Sequence, residues 1–145
     1  MFKHLLVPID GSPTAELAVA KAIGLAQAFH SKVTAIYVVD PYPFAGVGAD
    51  FARGQMQYLR VAKAAASDAL ASARKQMEDA GVALQTANIE SSTVWRGILQ
   101  AAEASDVDLI VMGSHGRSGI EKLVLGSVAH KVVTNTQLPV LLVRS

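Results

Sequence analysis

The stretch VDLIVMG, residues 107–113, is an apolar run that ends in a glycine. A short continuous run of this kind is typical of a strand that is buried on both faces of a sheet. Similar runs stand at residues 4–9 (HLLVPI), 32–40 (KVTAIYVVD) and 138–143 (LPVLLV). Residues 82–90 (VALQTANIE) alternate in polarity and predict a less buried strand. The sequence therefore predicts five strands.

Helical patterns occupy the intervals between these strands. Ser12 followed by Pro13 is a typical helix start, because the hydroxyl caps free amides and the proline has no amide hydrogen to satisfy. A second helix is predicted from Met56 to its stop at Gly81, after an irregular loop at residues 41–55 that is rich in Pro and Gly. The two remaining helices are predicted at residues 93–105, with a destabilising glycine inside, and at residues 127–135.

The strict alternation of strands and helices determines the fold class. Such alternation requires right-handed crossovers and a parallel sheet covered by helices on both faces. We expect a single doubly wound α/β domain over residues 1–145. Ligands of these folds bind outside the carboxyl ends of the strands, where the strand order reverses. The segment that follows residue 113 is therefore in a position suited to a binding site.

Composition excludes several classes of protein. The formal charge is +1, and no basic run is present, which argues against a general nucleic-acid binder. The chain has no cysteine and therefore no disulfide or thiolate metal site. No signal peptide is recognisable, and no apolar stretch approaches the ~20 residues that a spanning helix needs. We expect a soluble cytoplasmic protein that does not bind membranes.

The glycine-rich segment MGSHGRSGIEKLVLGSVAHK, residues 112–131, has the properties of an anion cradle. Glycines let a ligand approach the backbone closely, and the start of the helix at residue 127 offers free amides and a favourable dipole. Ser127 could cap that helix or bond to a phosphate. The segment lacks the G-x-x-x-x-G-K-[ST] pattern of P-loop enzymes and the G-x-G-x-x-G of dinucleotide folds. A simple turn after a strand is the alternative interpretation.

The spacing Gly113-x-x-Gly116, nine residues, then Gly126-Ser127 resembles the nucleotide motif of the universal stress proteins, in the branch that binds ATP. LLVPIDGS, IYVVD, DLIVMGSHGRSG and PVLLVR extend the resemblance over the whole chain. It implies a Rossmann-like fold of the adenine-nucleotide α-hydrolase type. The implied strand order is 3-2-1-4-5.

The resemblance also implies which residues bind the nucleotide. The end of the first strand would lie beside adenine and ribose, and the backbone of Val38 would meet the adenine edge. The glycine segment would surround the ribose and phosphates, with Mg²⁺ shared by phosphate oxygens and water. The implied nucleotide-binding residues are Pro8, Ile9, Asp10, Val38, Met112, Gly113, Ser114, His115, Gly116, Arg117, Ser118, Gly119, Gly126, Ser127, Val128 and Ala129.

Other chemistries fit the sequence less well. Asp10 could be a phosphoacceptor of the response-regulator type, but that fold needs a carboxylate pair after the first strand and a lysine ending the last. Here Asp10 stands alone, and the last strand ends in Val143-Arg144. The histidines show no metal-ligand spacing; they are His4, His30, His115 and His130.

The predicted site has few groups for catalysis. Phosphoryl transfer needs a positioned base and charge that stabilises the transition state, and only His115, Arg117 and Asp10 are candidates. Binding the ground state and the transition state equally gives no rate acceleration. We therefore expect an ATP-binding sensor or regulator. The resemblance implies a role in stress response, in which an unknown regulatory protein could be the partner. The alternative is a slow ATPase or phosphotransferase, including autophosphorylation, and a nucleotide-free interaction module fits the glycine pattern poorly.

The last strand predicts self-association. Its apolar run should be covered on both faces, and the implied strand order places it at the edge of the sheet. An apolar edge strand invites pairing with another strand. We expect a homodimer in which this strand pairs with its own copy about a two-fold axis, with a monomer as the alternative. The residues concerned are Val140, Leu141, Leu142 and Val143.

Overall fold

A computed structural model describes residues 1–41, 46–115 and 125–144. Strands and helices alternate along these residues. The strands are β1 (His4–Pro8), β2 (Lys32–Val39), β3 (Leu84–Glu90), β4 (Leu109–Gly113) and β5 (Val140–Val143). The helices are α1 (Pro13–Phe29), α2 (Ala49–Asp79), α3 (Val94–Ala104) and α4 (Ser127–Asn135).

The strands form one parallel sheet in the order β3-β2-β1-β4-β5, which confirms the predicted fold class. β1 lies in the centre, with β2 on one side and β4 on the other. The chain winds outward from β1 through β2 to β3, and β4 then begins the other half of the sheet. The strand order therefore reverses between β1 and β4, where an α/β sheet opens a crevice for ligands.

Successive side chains of each strand enter two separate cores, because they point to opposite faces of the sheet. Leu5 and Val7 of β1 belong to the core beneath α1 and α2, together with Met77 of α2. Leu6 belongs to the other core, together with Ile98 of α3 and residues of α4. β3 lies at an edge and is only half-buried, which agrees with its alternating sequence.

Helix α1 begins as its sequence predicts. Ser12 is the N-cap, and its Oγ accepts a hydrogen bond from the Ala15 amide at 3.2 Å. Pro13 occupies the first helical position, where no amide hydrogen is required. The helix ends at His30, which adopts a left-handed conformation and donates its amide to the Ala26 carbonyl.

Helix α2 begins earlier than its sequence predicts. The predicted start at Met56 is wrong, because the helix already begins at Ala49 and includes Gly54. Gly48 is the N-cap with φ of 105°, a conformation that glycine adopts without strain. The described part of the predicted loop at residues 41–55 is therefore mostly helical. Full burial along α2 begins only at Ala66.

The other boundaries differ from the predictions by one or two residues, except that α4 covers residues 127–135 as predicted. β4 begins at Leu109, because the preceding residue, Asp108, forms hydrogen bonds with the amino end of β1. Its carboxylate accepts hydrogen bonds from the amides of Lys3 and His4, and its own amide donates to the His4 carbonyl. No helix within the described residues is long and apolar enough to cross a membrane.

The glycine inside α3 has a packing reason that its sequence does not reveal. A Cβ at Gly97 would lie 2.9 Å from Ser91 Cβ and 3.0 Å from Val38 Cγ1. Gly97 therefore lets the first turn of α3 pack closely on the carboxyl ends of β2 and β3. Gly24 in α1 differs, because no described atom outside its own stretch of helix backbone lies within 4 Å of a Cβ placed there.

We expect substitution by alanine to change the free energy of unfolding in opposite directions at these two helical glycines. Gly24→Ala should raise the free energy of unfolding by about 0.5–1 kcal/mol, because alanine restricts the unfolded backbone without meeting a neighbour. Gly97→Ala should lower it by about 1–2 kcal/mol, because overpacking outweighs that gain. Urea unfolding of both variants measures the difference. A stabilised Gly97→Ala protein would show that α3 can move away from Val38 at little cost.

His4 is buried at the amino end of the sheet, 8% exposed. Its Nε2 lies 2.6 Å from Thr34 Oγ1. Burial lowers the pKa of His4 below its usual 6.5, and the positive charge of Lys32 lowers it further. A hydrogen bond to the Ser105 backbone and the nearby carboxylates of Asp108 and Asp106 oppose this shift of the pKa.

Stability should therefore fall when the pH drops below about 6.5. Below that pH the unfolded chain protonates His4, while the folded chain keeps it neutral. The stability that neutral His4 contributes is therefore fully present above the pKa of His4 in the unfolded chain, and it is lost as the pH falls towards the pKa in the folded chain. Thermal unfolding between neutral and mildly acidic pH should show a smaller pH dependence in His4→Gln than in the wild type. His30→Gln is the control, since His30 is exposed. Equal pH dependence in all three proteins would exclude His4 as the cause.

Candidate functional site

The carboxyl ends of β1 and β4 meet where the strand order reverses. β1 ends at Pro8, and the amide of the next residue, Ile9, donates to the Ile36 carbonyl of β2 at 2.8 Å. Asp10 then turns the chain into α1, because its Oδ1 accepts the Ser12 amide at 2.9 Å. The Asp10 carbonyl accepts the Tyr37 hydroxyl at 3.5 Å. This corner is held by both its backbone and its side chains.

The end of β4 continues into a junction between three elements. The Ser114 amide donates to the Val143 carbonyl of β5 at 2.9 Å, and the Ser114 carbonyl accepts the Gly126 amide at 2.8 Å. The His115 carbonyl accepts the Thr14 hydroxyl of α1 at 3.1 Å. One short segment therefore connects the edge strand, the start of α4 and the start of α1.

The glycines of this junction are needed for close backbone contact. A Cβ at Gly113 would lie 2.9 Å from Thr14 Cβ, and a Cβ at Gly126 would lie 2.8 Å from the Ser114 carbonyl oxygen. Neither glycine has a positive φ. The neighbours that require glycine at these two positions are parts of the chain itself. Four implied site residues lie outside the described residues: Gly116, Arg117, Ser118 and Gly119.

Helix α4 begins at this junction with amides that have no acceptor inside the helix. Gly126 is the N-cap, without a side-chain hydrogen bond, and Ser127 is the first helical residue. The suggestion that Ser127 caps the helix is therefore wrong, and its side chain is exposed. The His130 amide donates to the Gly126 carbonyl at 2.9 Å. The amides of residues 127–129 precede that bond, so the helix provides them no acceptor.

The side chains around this helix start are anchored in the core. Ala129 is 2% exposed, and Val128 packs against the core beneath α3 and α4. Met112 belongs to the same core. The first amides of α4 are therefore held on a helix packed into the core, and together with the helix dipole they form an environment that favours an anion.

His115 contributes a polar ring to the junction. Its Nδ1 lies 3.0 Å from Ser114 Oγ. Its Nε2 is buried and has no hydrogen-bond partner among the described residues. If the Ser114 hydroxyl donates to Nδ1, the ring hydrogen lies on Nε2, which is then a donor suited to a phosphate oxygen.

Val38 lies farther along the same sheet edge. Its side chain points under α3, where Gly97 contacts it, while its backbone forms the carboxyl end of β2. Trp95, at the start of α3, packs against the core, and the Arg96 guanidinium lies 5.1 Å from its ring centroid. Within the described residues, no group of three or more His, Asp or Glu could hold a metal ion.

The structure thus places the implied residues of β1, β4 and α4 at the carboxyl ends of two adjacent strands and at the helix start bonded to one of them, and Val38 on the neighbouring strand β2. It also reveals Thr14, which the sequence reasoning missed. Thr14 is 101 residues from its hydrogen-bond partner, and a threonine in the first turn of a helix carries no signal of such a contact.

The family model of the universal stress proteins matches residues 1–144. The chain belongs to this family. A universal stress protein of Methanocaldococcus jannaschii, MJ0531, is 37% identical over 145 residues, which cover 99% of this chain and 83% of the relative.

Solved structures of the family share the fold. That of MJ0577 from Methanocaldococcus jannaschii superposes with a TM-score of 0.86 at 26% identity, covering 100% of this chain and 97% of that one. A universal stress protein in complex with cAMP gives a TM-score of 0.72 at 23% identity, covering 99% and 97%. One from Archaeoglobus fulgidus in complex with dAMP gives 0.65 at 18%, covering 99% and 98%.

Proposed function

We propose that this universal stress protein binds ATP at the crevice between β1 and β4 and acts as a nucleotide-dependent regulator in the cytoplasm during stress. The observation that carries the proposal is the uncapped start of α4, held against Ser114 by the 2.8 Å bond from the Gly126 amide. An anion there would satisfy amides that otherwise have no acceptor in the helix. The buried Nε2 of His115 supports a phosphate as well, because buried polar atoms in native proteins nearly always have a partner.

The adenine end of the ligand is supported by different observations. Two structures of this fold contain cAMP or dAMP, which share the adenine ring. In this chain the backbone at Val38 and the corner at Pro8–Asp10 lie at the carboxyl ends of adjacent strands, at the end of the sheet where Ser114 after β4 is bonded to the start of α4. Mg²⁺ would be held by phosphate oxygens and water, with Asp10 as the nearest carboxylate of the β1 end.

The most direct test of this proposal is to identify any nucleotide that the purified protein releases when it is denatured. Protein purified without added nucleotide is denatured, and the supernatant is analysed by mass spectrometry, while calorimetry compares ATP, ADP, AMP and GTP with and without Mg²⁺. We expect an adenine nucleotide in the supernatant and measurable ATP affinity. Absence of both would contradict the proposal. Phosphate release should stay well below the ~10 s⁻¹ median of enzymes, because acid-base groups are scarce in the crevice.

The alternative, a dedicated ATPase or phosphotransferase, predicts a different kinetic result. Ordinary turnover that is abolished by His115→Gln or Asp10→Asn would favour it over the regulator.

We also propose a homodimer through β5. β5 is an edge strand, bonded to β4 on one side. The expectation that both of its faces are covered holds only in part within one chain, because Leu141 is 38% exposed. Antiparallel pairing of β5 with its own copy would satisfy the open edge and cover Leu141.

A further inference from the structure

Thr14 uses its hydroxyl outside its own helix. It is the second residue of α1 and is 6% exposed. A hydroxyl at a helix start commonly serves the local amides, but here Ser12 provides that cap. The Thr14 Oγ1 instead donates to the His115 carbonyl at 3.1 Å.

The rest of Thr14 packs against the end of β4. A Cβ at Gly113 would lie 2.9 Å from Thr14 Cβ, 3.1 Å from its carbonyl carbon and 3.2 Å from its carbonyl oxygen. The first turn of α1 and the end of β4 are therefore in direct contact. This contact leaves the Thr14 hydroxyl within reach of the backbone two residues beyond Gly113.

The carbonyl that Thr14 holds belongs to the residue that follows the contact with the start of α4. The preceding residue, Ser114, is bonded through its carbonyl to Gly126, the N-cap of α4. A carbonyl oxygen carries partial negative charge, so it would repel a phosphate if it rotated towards one. A donor that keeps the His115 carbonyl engaged preserves an environment in which amides, not carbonyls, face the anion.

We propose that Thr14 is a positioning residue of the nucleotide site, which orients the His115 carbonyl through its hydroxyl. This role rests on the proposed function. It requires the hydroxyl, because the methyl group of Thr14 cannot donate. Valine at this position should keep the packing on Gly113 and lose the orientation, whereas serine should keep the hydrogen bond.

Three variants test the role. Thr14→Val removes the hydroxyl, Thr14→Ser retains it, and Thr134→Val is the matched control. The Thr134 hydroxyl also donates to a backbone carbonyl, that of His130, but inside α4 and away from the crevice. Calorimetry with ATP should show about fivefold weaker binding in Thr14→Val, since a typical hydrogen bond contributes that factor, and wild-type affinity in the other two. Amide hydrogen exchange of Ser114 and Gly126 without nucleotide should be faster in Thr14→Val alone.

The outcomes separate this role from the proposed function. If the wild-type protein binds ATP and Thr14→Val binds it with the same affinity, the positioning role of Thr14 is overturned. The proposed binding of ATP is then unaffected. Equal loss of affinity in Thr14→Val and Thr14→Ser would also overturn it, because packing rather than the hydroxyl would then matter. Failure of the wild-type protein to bind ATP would overturn both, whatever the exchange rates show.

Discussion

Gly126→Val is expected to reduce ATP affinity about 100-fold or more. Overpacking costs up to ~3 kcal/mol, and each ~1.4 kcal/mol corresponds to a tenfold change in affinity. A Cβ at residue 126 would lie 2.8 Å from the Ser114 carbonyl oxygen and 3.3 Å from the His115 Cα. Both atoms belong to the backbone and cannot rotate away. The start of α4 must therefore move from the junction, and its free amides lose their position relative to β4. Calorimetry with ATP measures the effect.

Gly24→Val is the matched control for this variant. It places the same side chain in α1, where a Cβ has no neighbour within 4 Å. Its ATP affinity should equal that of the wild type, and its melting temperature should not fall. Wild-type affinity in Gly126→Val would contradict a phosphate site at the start of α4. A fully unfolded Gly126→Val protein would be recognised by circular dichroism, and Gly126→Ala then provides the milder test.

Leu141→Asp is expected to convert the proposed homodimer to a monomer. Under two-fold symmetry the dimer would bury two aspartates at an apolar edge, and burying unpaired charges costs several kcal/mol. The single chain should tolerate the change, because Leu141 is 38% exposed within it. Light scattering coupled to gel filtration measures the mass, and thermal unfolding of the monomer confirms that it is folded.

Val61→Asp is the control for the dimer test. Val61 is 63% exposed on α2, which packs against β2 and β3 in the opposite half of the sheet. This variant should remain dimeric. A wild-type mass equal to one chain, or a dimer that survives Leu141→Asp, would contradict the interface at β5. ATP binding by the Leu141→Asp monomer would further show whether one chain is sufficient for the site.

Most of the fold could be predicted because its signals are local. Buried strands such as β4 are short apolar runs, and the start of α1 has a hydroxyl cap followed by proline. The start of α2 was misplaced because Gly46, Gly48 and Gly54 resemble loop residues. One glycine inside a helix costs only about 1 kcal/mol, which a 31-residue helix can accommodate. A single glycine is therefore weak evidence for a loop.

The site could be predicted only in outline. The glycine spacing predicts a site at the carboxyl ends of β1 and β4, because ligands of such sheets bind at the carboxyl ends of the strands, and that placement stays a prediction. The packing reason for Gly113 and the proposed role of Thr14 depend on a contact between residues far apart in the chain. No local pattern encodes such a contact. Gly97 is a similar case, because glycine is needed there for the close approach of α3 to Val38.

The length of α2 has a consequence for how the protein opens in solution. Its 31 residues extend about 46 Å, whereas the eight residues of β2 extend about 26 Å. Full burial begins at Ala66, so the turns before it contribute few apolar contacts. Segments of this kind unfold locally at a small fraction of the global free energy. Limited proteolysis of the native protein should therefore cut first in this half of α2, at Arg53 or Arg60, while the sheet and α1 remain intact.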